Sequence, residues 1–380
     1  MRGGSSSTGA YNVCLDTDAS VQQLLPLRAT AMGVSFIVAA YNIQKYVEAC
    51  LAGVLLCLRP QDELIVVNDG SVDSTPDIIA ATLRDHHHVH LIHKDNGGLS
   101  SARNAGLARA TKEHVLFLDG DDVVVPEVVC DMLRLLDTQN PDILVTDHVE
   151  WLDDGRGPFK PSVPRSHPAH QLCNDVPRNL IDTFIDGSPC VWSRFFRRSL
   201  LNSLGAQPFP EWSMYDDMPT TPYLVAQAAT LYYAPVAMVR YRMRPGSLTR
   251  VRSERSCTDM VKAALHAVRA GQEHDVVPAL ASAKWRYFTR KFAEAVQQGR
   301  EVEHPTLGFY RALTKALREA DIQLCASRCR TATDTASAAS VKAARHAKLA
   351  LMAPTPYAAI QTLIARHKRQ RVQTKTSSHE

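Results

Sequence analysis

Asp119, Asp121 and Asp122 crowd around Gly120 at the end of the apolar run HVLFLDGDD, residues 114–122. Like charges this close need a counter-charge, so the stretch has two readings: a divalent-cation site, or an acidic turn that happens to follow a buried strand. Other apolar runs in the same half also stop in polar residues. VSFIVAA stops in Tyr41 and Asn42, ELIVV in Asn68, Asp69, Gly70 and Ser71, and VHLIH in KDNGGLSSARN. A second acidic pair, Asp216–Asp217, stands downstream in EWSMYDDMPTT. Carboxylates in such positions can ligate hard cations, take protons as general bases, or favour helix starts.

The elements that must position these residues are short β-rich runs alternating with helical patterns at 43–58, 75–85, 100–110 and 126–138, followed by DILVTD at 142–147. Strands apolar throughout, separated by amphipathic helices, predict an α/β fold with a doubly wound, mostly parallel sheet covered on both faces. Ligands of such sheets bind beyond the carboxyl ends of the strands, so the polar residues after each run should share one rim. No G-x-G-x-x-G follows the first strand and no G-x-x-x-x-G-K-[ST] occurs, which removes the two glycine-loop modes of phosphate binding. An acidic rim suits a nucleotide whose phosphates arrive with Mg²⁺ or Mn²⁺.

The chain as a whole sets outer bounds. A net charge of +4 over 380 residues, without a compact basic and aromatic cluster, predicts no nucleic-acid partner. The nine cysteines are an odd number, and Cys50, Cys57, Cys130 and Cys190 sit in apolar surroundings, as free thiols of a reducing cytoplasm do. Cys325 and Cys329 stand one helical turn apart but lack a second Cys or His pair at zinc-site spacing. The histidines of DHHHVHLIH likewise lack matching ligands and read as a solvated loop. No run reaches the roughly 20 apolar residues of a spanning helix, and MRGGSSSTGAYN has no apolar centre of a signal peptide. Residues 1–31 read as a disordered Gly/Ser-rich leader, with Met32 as an alternative start.

Taken in order and spacing, IVAAYN, ELIVVNDGSVDST, NGGLSSARNAGLARA and HVLFLDGDD resemble the family 2 glycosyltransferases, inverting sugar transferases of the GT-A fold and of bacterial polysaccharide type. The likeness is strong over about residues 33–150. It extends more weakly to about 250 through CVWSRFFRRSLL, MYDDMPTT and RYRMRPGSLT. It implies a Rossmann-like nucleotide-sugar half at 32–150, an acceptor half carrying the base at 151–250, and a helical C-terminal region at 251–380.

Residue by residue, the resemblance implies that Tyr41 and Asn42 close the base pocket, where an aromatic ring covers a flat pyrimidine, and that Asp69 accepts the ring N–H. Asp73 is better placed than Asp69 to serve the helix starting near Ser74. In the glycine segment, Gly98 permits a tight backbone and Ser100 is placed to cap the following helix. Arg103 then either faces the donor phosphates or bridges carboxylates of the rim. Asp119 and Asp121 match the D-x-D motif: Asp119 would contact the ribose or a metal-bound water, and Asp121 would ligate the cation. Asp122 would cap a helix or act from the outer sphere. Asp217 matches the base and Asp216 its neighbour or an acceptor contact, although Asp216 departs from the common Glu. Ala39 and Asn68 replace a frequent Pro and Asp. Trp192 and Arg194 are acceptor-side candidates, although a lone Trp before an apolar run, such as Trp192, is more often core. Arg240, Arg242 and Arg244 would share one strand face, to attract a diphosphate or as a solvated edge.

The implied function is metal-dependent transfer of one sugar from a nucleotide-diphosphate-sugar, UDP by analogy, to a glycan or lipid-linked acceptor hydroxyl. The Q-x-x-R-W signature of processive members does not occur. The alternatives are a non-catalytic family member and a sugar-nucleotide nucleotidyltransferase, which would want a glycine-rich loop that AAYNIQKYVEA lacks. Beyond 250 the pattern is helical at 258–271, 277–298, 305–320, 338–352 and 356–369. Residues 341–375 carry lysines and arginines but no acids among apolar positions. That tail either lies on an anionic membrane surface at the cytoplasmic face or packs onto the catalytic domain.

Overall fold

The computed structural model describes residues 32–86, 88–152, 160–161, 165–186, 189–244, 247, 252–275, 277–302, 306–323, 350, 357 and 361. The leader, the Cys325–Cys329 pair and most of the two last expected helices lie outside these residues.

The first half alternates as the periodicity predicts: β1 (Val34–Ala40), α1 (Val47–Leu55), β2 (Glu63–Asp69), α2 (Thr75–Leu83), β3 (Val89–Lys94), α3 (Leu99–Arg109), β4 (His114–Asp119), β5 (Val123–Val124), α4 (Pro126–Gln139) and β6 (Ile143–Leu152). The second half continues with β7 (Lys160–Pro161), β8 (Leu172–Cys173), α5 (Val176–Asp186), β9 (Arg194–Arg197), α6 (Arg198–Ser203), α7 (Asp217–Gln227) and β10 (Leu231–Met243). It ends in α8 (Glu254–Ala267), α9 (Pro278–Gly299) and α10 (Leu307–Gln323).

One 10-stranded sheet runs in the order β3-β2-β1-β4-β9-β6-β10-β5, with β7 on β6 and β8 on β10. The four strands β3, β2, β1 and β4 are parallel. Beyond them the sheet is mixed: β9 enters antiparallel between β4 and β6, and β6 and β10 pair in parallel. The α/β class stands, and β6 keeps the direction of β4 although it is not β4's neighbour. The segment RFFR is short and flanked by arginines, so its period carries little strand signal.

Alternation along β1 shows why the sheet needs cover on both faces. Ile37 and Ala39 join Ile65, Val67, Val115 and Phe117 in a core shared with α3, α7, α8 and α9. Phe36, Val38 and Ala40 join a second core with α1 and α4. The C-terminal helices thus complete the core on one face of the central sheet. Register then levels the strand ends, with Ala39 opposite Asp119, Ala40 opposite Asn68, and Asp69 opposite Lys94.

Candidate active site

A cavity of about 810 Å³ opens at those strand ends, a size that suits a small ligand. Its wall brings together Tyr41, Asn42, Asp69, Gly98, Arg103, Asp119, Asp121, Trp192, Asp216 and Asp217.

At one end the backbone makes the shape. Asn42 takes a left-handed φ of 50°. Its amide donates to Ser71 Oγ at 3.0 Å while its side-chain oxygen accepts from Val72 N at 2.9 Å, so the chain after β1 is stitched to the chain after β2. Tyr41 remains 47% exposed, leaving a ring face for a ligand. Asp69 is buried and accepts from Gly97 N, Gly98 N and Lys94 Nζ at 3.0, 2.7 and 2.7 Å. It shapes the 94–98 turn, and its Oδ2, held by Gly98 alone in this set, retains capacity for another donor. Gly98 sits at φ 86°, a conformation that costs other residues energy. Asp73 serves the start of α2 as expected, accepting from Thr75 N at 3.0 Å. Ser100 does not cap α3: it lies inside the helix, after Gly98 at the N-cap, and its hydroxyl donates to Pro210 O at 3.0 Å.

At the centre, Gly120 lets two acids project from one turn. Its N–H donates to Ala39 O at 2.9 Å, and a Cβ there would come within 2.8 Å of that oxygen. Each acid of the turn meets an arginine. Arg103, buried, places Nη2 at 2.7 Å from Asp119 Oδ1 and Nη1 at 2.7 and 2.8 Å from the two oxygens of Asp216. Of the two roles open to Arg103, the bridge between carboxylates is the one it fills here. Arg244 Nε lies 2.7 Å from Asp121 Oδ2. Asp122 is buried and accepts from Arg242 N at 2.7 Å. It caps no helix, since α4 begins at Pro126, and instead ties the turn to β10. Arg242 is held between the rings of Tyr46 and Trp151, at 4.8 and 4.3 Å from their centroids.

Burial and the charge of Asp119 raise the Asp121 carboxyl above the usual range. Burial, Asp121 and Asp119 raise Asp122 well above it. Asp122 Oδ2 is buried without a hydrogen-bond partner. Such a cluster calls for positive charge, and hard carboxylate oxygens suit Mg²⁺ or Mn²⁺. Among the described residues no group of three or more His, Cys, Asp or Glu forms a complete cage. The donor set fits a cation whose remaining ligands are water and phosphate oxygens.

At the far end α7 starts with Asp217, and Asp216 is its N-cap. Asp217 keeps a small face open to the cavity but is otherwise enclosed. Burial first, then Asp216, raise its pKa to about 7, against the opposing pull of Arg103 and the Met218 N–H. A carboxylate so placed can accept a proton near neutrality.

Trp192 is both core and wall: 7% exposed, it stacks on Tyr241 at 5.3 Å and 5° and meets the His148 edge at 4.7 Å. Arg194 is not in the wall. It is buried behind it, donating to Cys190 O, and burial together with Arg165 lowers its pKa to about 9, so the acceptor-side expectation for it is corrected. His148, Glu150, Tyr215, Tyr241 and Lys291 also line the cavity and were not singled out from sequence. His148 and Glu150 lie within the C-terminal half of β6, where the strand runs on past the apolar stretch ILV into the cavity wall, whereas Lys291 on α9 carries no local signal.

The family described as glycosyl transferase family 2 matches residues 35–205. Putative glycosyltransferase EpsH of Bacillus subtilis (strain 168) is 29% identical over 173 residues, 45% of this chain and 48% of that protein. Poly-beta-1,6-N-acetyl-D-glucosamine synthase of Staphylococcus epidermidis is 37% identical over 92 residues, 24% of this chain and 22% of that protein. The chain thus spans less than half the length of each of these curated relatives. The crystal structure of S. aureus TarS 1-349 superposes with a TM-score of 0.58 at 21% identity, covering 84% of this chain and 91% of that one. TarS 1-349 has also been solved with UDP and with UDP-GlcNAc. The likeness establishes the fold, which is the α/β GT-A arrangement.

Proposed function

We propose that this chain, whose residues 35–205 form a glycosyl transferase family 2 domain, moves one sugar from a nucleotide-diphosphate-sugar to an acceptor hydroxyl with inversion. The observation that carries the reading is the Arg103 bridge, which joins Asp119 at the donor rim to Asp216 beside Asp217 through contacts of 2.7 Å. Donor acids and base therefore face one cavity.

Tyr41 and Asn42 take the flat base, and Asp69 accepts its ring N–H. Asp119 meets the ribose. A divalent cation held by Asp121 beside Asp119 would offset the charge of the departing diphosphate. Asp217 takes the acceptor proton as the hydroxyl oxygen bonds to the anomeric carbon and the bond to the diphosphate breaks. A carboxylate raised to about 7 is a stronger base than an ordinary one.

UDP is the first nucleotide to try, because TarS, a neighbour in fold, was solved with UDP. A role in cell-surface polysaccharide synthesis is supported by the synthase relative. No helix among the described residues is long and apolar enough to cross a membrane. We place the enzyme at the cytoplasmic face, with its basic tail as the peripheral contact. The test is calorimetric titration with UDP, GDP, CDP and dTDP, each with and without Mn²⁺. Metal-dependent binding of one nucleotide is expected, and a folded protein that binds none of them overturns the reading.

A further inference from the structure

We infer that the acceptor end of the cavity is an anion-binding subsite whose cation is Lys291, so that the acceptor carries a phosphate or carboxylate close to the hydroxyl that is attacked. The inference rests on the glycosyltransferase reading and adds a substrate class to it.

Lys291 belongs to α9, well beyond the family match at 35–205, yet it lines the same cavity as Asp216 and Asp217. It arrives from the base side. Helix α9 packs on α5 and α8, and α8 packs on α7, which Asp217 begins. Its pairing partner Glu294 acts electrostatically on the Tyr215 hydroxyl, and Tyr215 immediately precedes the acid pair. Tyr41, Asn42, Asp69 and Gly98 form the opposite end, on the β1–β3 side of the sheet.

The other guanidinium and ammonium groups of the described wall, Arg103 and Arg244, are held by rim acids at 2.7 Å. Lys291 instead meets Glu294 at 3.1 Å, one turn along its own helix, with side-chain exposures of 18% and 40%. A half-solvated pair of this spacing is a weak hold for a lysine so largely withdrawn from water. The helix that carries it is nevertheless anchored. The adjacent Arg290 donates to Ile185 O and Phe184 O at 3.3 Å, pinning α9 to α5. A negatively charged acceptor nearing Asp216, Asp217 and Asp119 would be repelled, and an ammonium in the same wall offsets that repulsion. A neutral acceptor would need no such group.

The test uses the full chain saturated with UDP and the diamagnetic Mg²⁺, so that the donor site cannot take up phosphate. Glucose, glucose 6-phosphate and glucuronate are then titrated, with binding read by saturation-transfer NMR. At least one anionic sugar is expected to bind about tenfold or more tightly than glucose, the scale of one charge-assisted hydrogen bond. Preference for the phosphate alone or for the carboxylate alone names the anion. Lys291→Gln is expected to erase the preference, Lys291→Arg to keep it, and both to bind UDP as the parent does. Three sugars that behave alike, or a preference that survives in Lys291→Gln, overturns the subsite and leaves the donor reading standing. Failure of the parent to bind UDP overturns both.

Discussion

Arg244 Nε and Asp121 Oδ2 lie 2.7 Å apart, so the residue that follows β10 supplies the charge that the D-x-D turn demands. A metal ion and this guanidinium then compete for one carboxylate. Asp121→Asn is expected to weaken UDP binding in Mn²⁺ by roughly a hundredfold, with little change in binding without metal. Arg244→Gln is expected to raise the affinity for Mn²⁺ alone a few-fold, since it removes a rival cation. Calorimetry checks both, and an Asp121→Asn protein with undiminished metal-dependent binding would remove the metal assignment.

Asp217 offers a prediction in pH. With its pKa raised to about 7 by burial and by Asp216, turnover should fall about tenfold per unit as pH drops below about 7. Asp217→Asn should bind donor and lose roughly 10²–10⁴-fold in kcat. The linkage sign follows from the raised value. Between about pH 4 and 7 the folded state holds a proton that the unfolded chain has released, so stability falls as pH rises through that window. Asp217→Asn should therefore raise Tm by a few degrees at about pH 8 and leave it unchanged at about pH 4. A melting series at the two pH values decides it, and an active Asp217→Asn enzyme would move the base to Asp216.

Arg103 is predicted to be the most fragile residue of the site. Its side chain is 3% exposed and Asp216's is 4%, so Arg103→Met would leave a buried carboxylate without its partner, at a cost of about 3–5 kcal/mol. Lysine cannot take both oxygens of Asp216 and also reach Asp119, so Arg103→Lys should recover only part of the loss. Adding Asp216→Asn to Arg103→Met should cost less than the sum of the two single changes. Urea denaturation of the four proteins measures this, and strict additivity would mean that the bridge contributes nothing to the fold.

What could be read in advance, and what could not, divides along sequence separation. Helices α1 to α4 and strands β1 to β4 announce themselves through local period, and the strand-end rule alone puts Tyr41, Asn42, Asp69 and Asp119 on one rim. Arg194 and Ser100 were misplaced because their roles depend on distant groups: Ser100 answers Pro210, 110 residues away, and Arg194 is enclosed beside Arg165. The Arg103 bridge to Asp216 spans 113 residues, and only packing of α7 against the sheet creates it. Lys291 carries no such signal, since a lysine on an amphipathic helix looks solvated until the helix is docked.

The tail separates the two readings left open for it. Ala350, Tyr357 and Gln361 are helical and buried. The Tyr357 ring lies 6.3 Å from that of Phe292, and Gln361 Oε1 accepts from Arg300 Nε at 3.0 Å, so Tyr357 and Gln361 pack on α9 and its C-cap. Removing residues 341–380 should therefore strip cover from α9 and lower Tm by several degrees, since burying one tyrosine of this kind is worth roughly 2–3 kcal/mol. Packing by these positions leaves the lysines and arginines that flank them in sequence, Lys342, Arg345 and Lys348 before and Arg366 to Lys375 after, as the candidates for a membrane contact. The same truncation should reduce sedimentation with anionic phosphatidylglycerol vesicles but not with neutral phosphatidylcholine vesicles. A lowered Tm with unchanged vesicle association would assign the tail to the fold alone and end the membrane proposal.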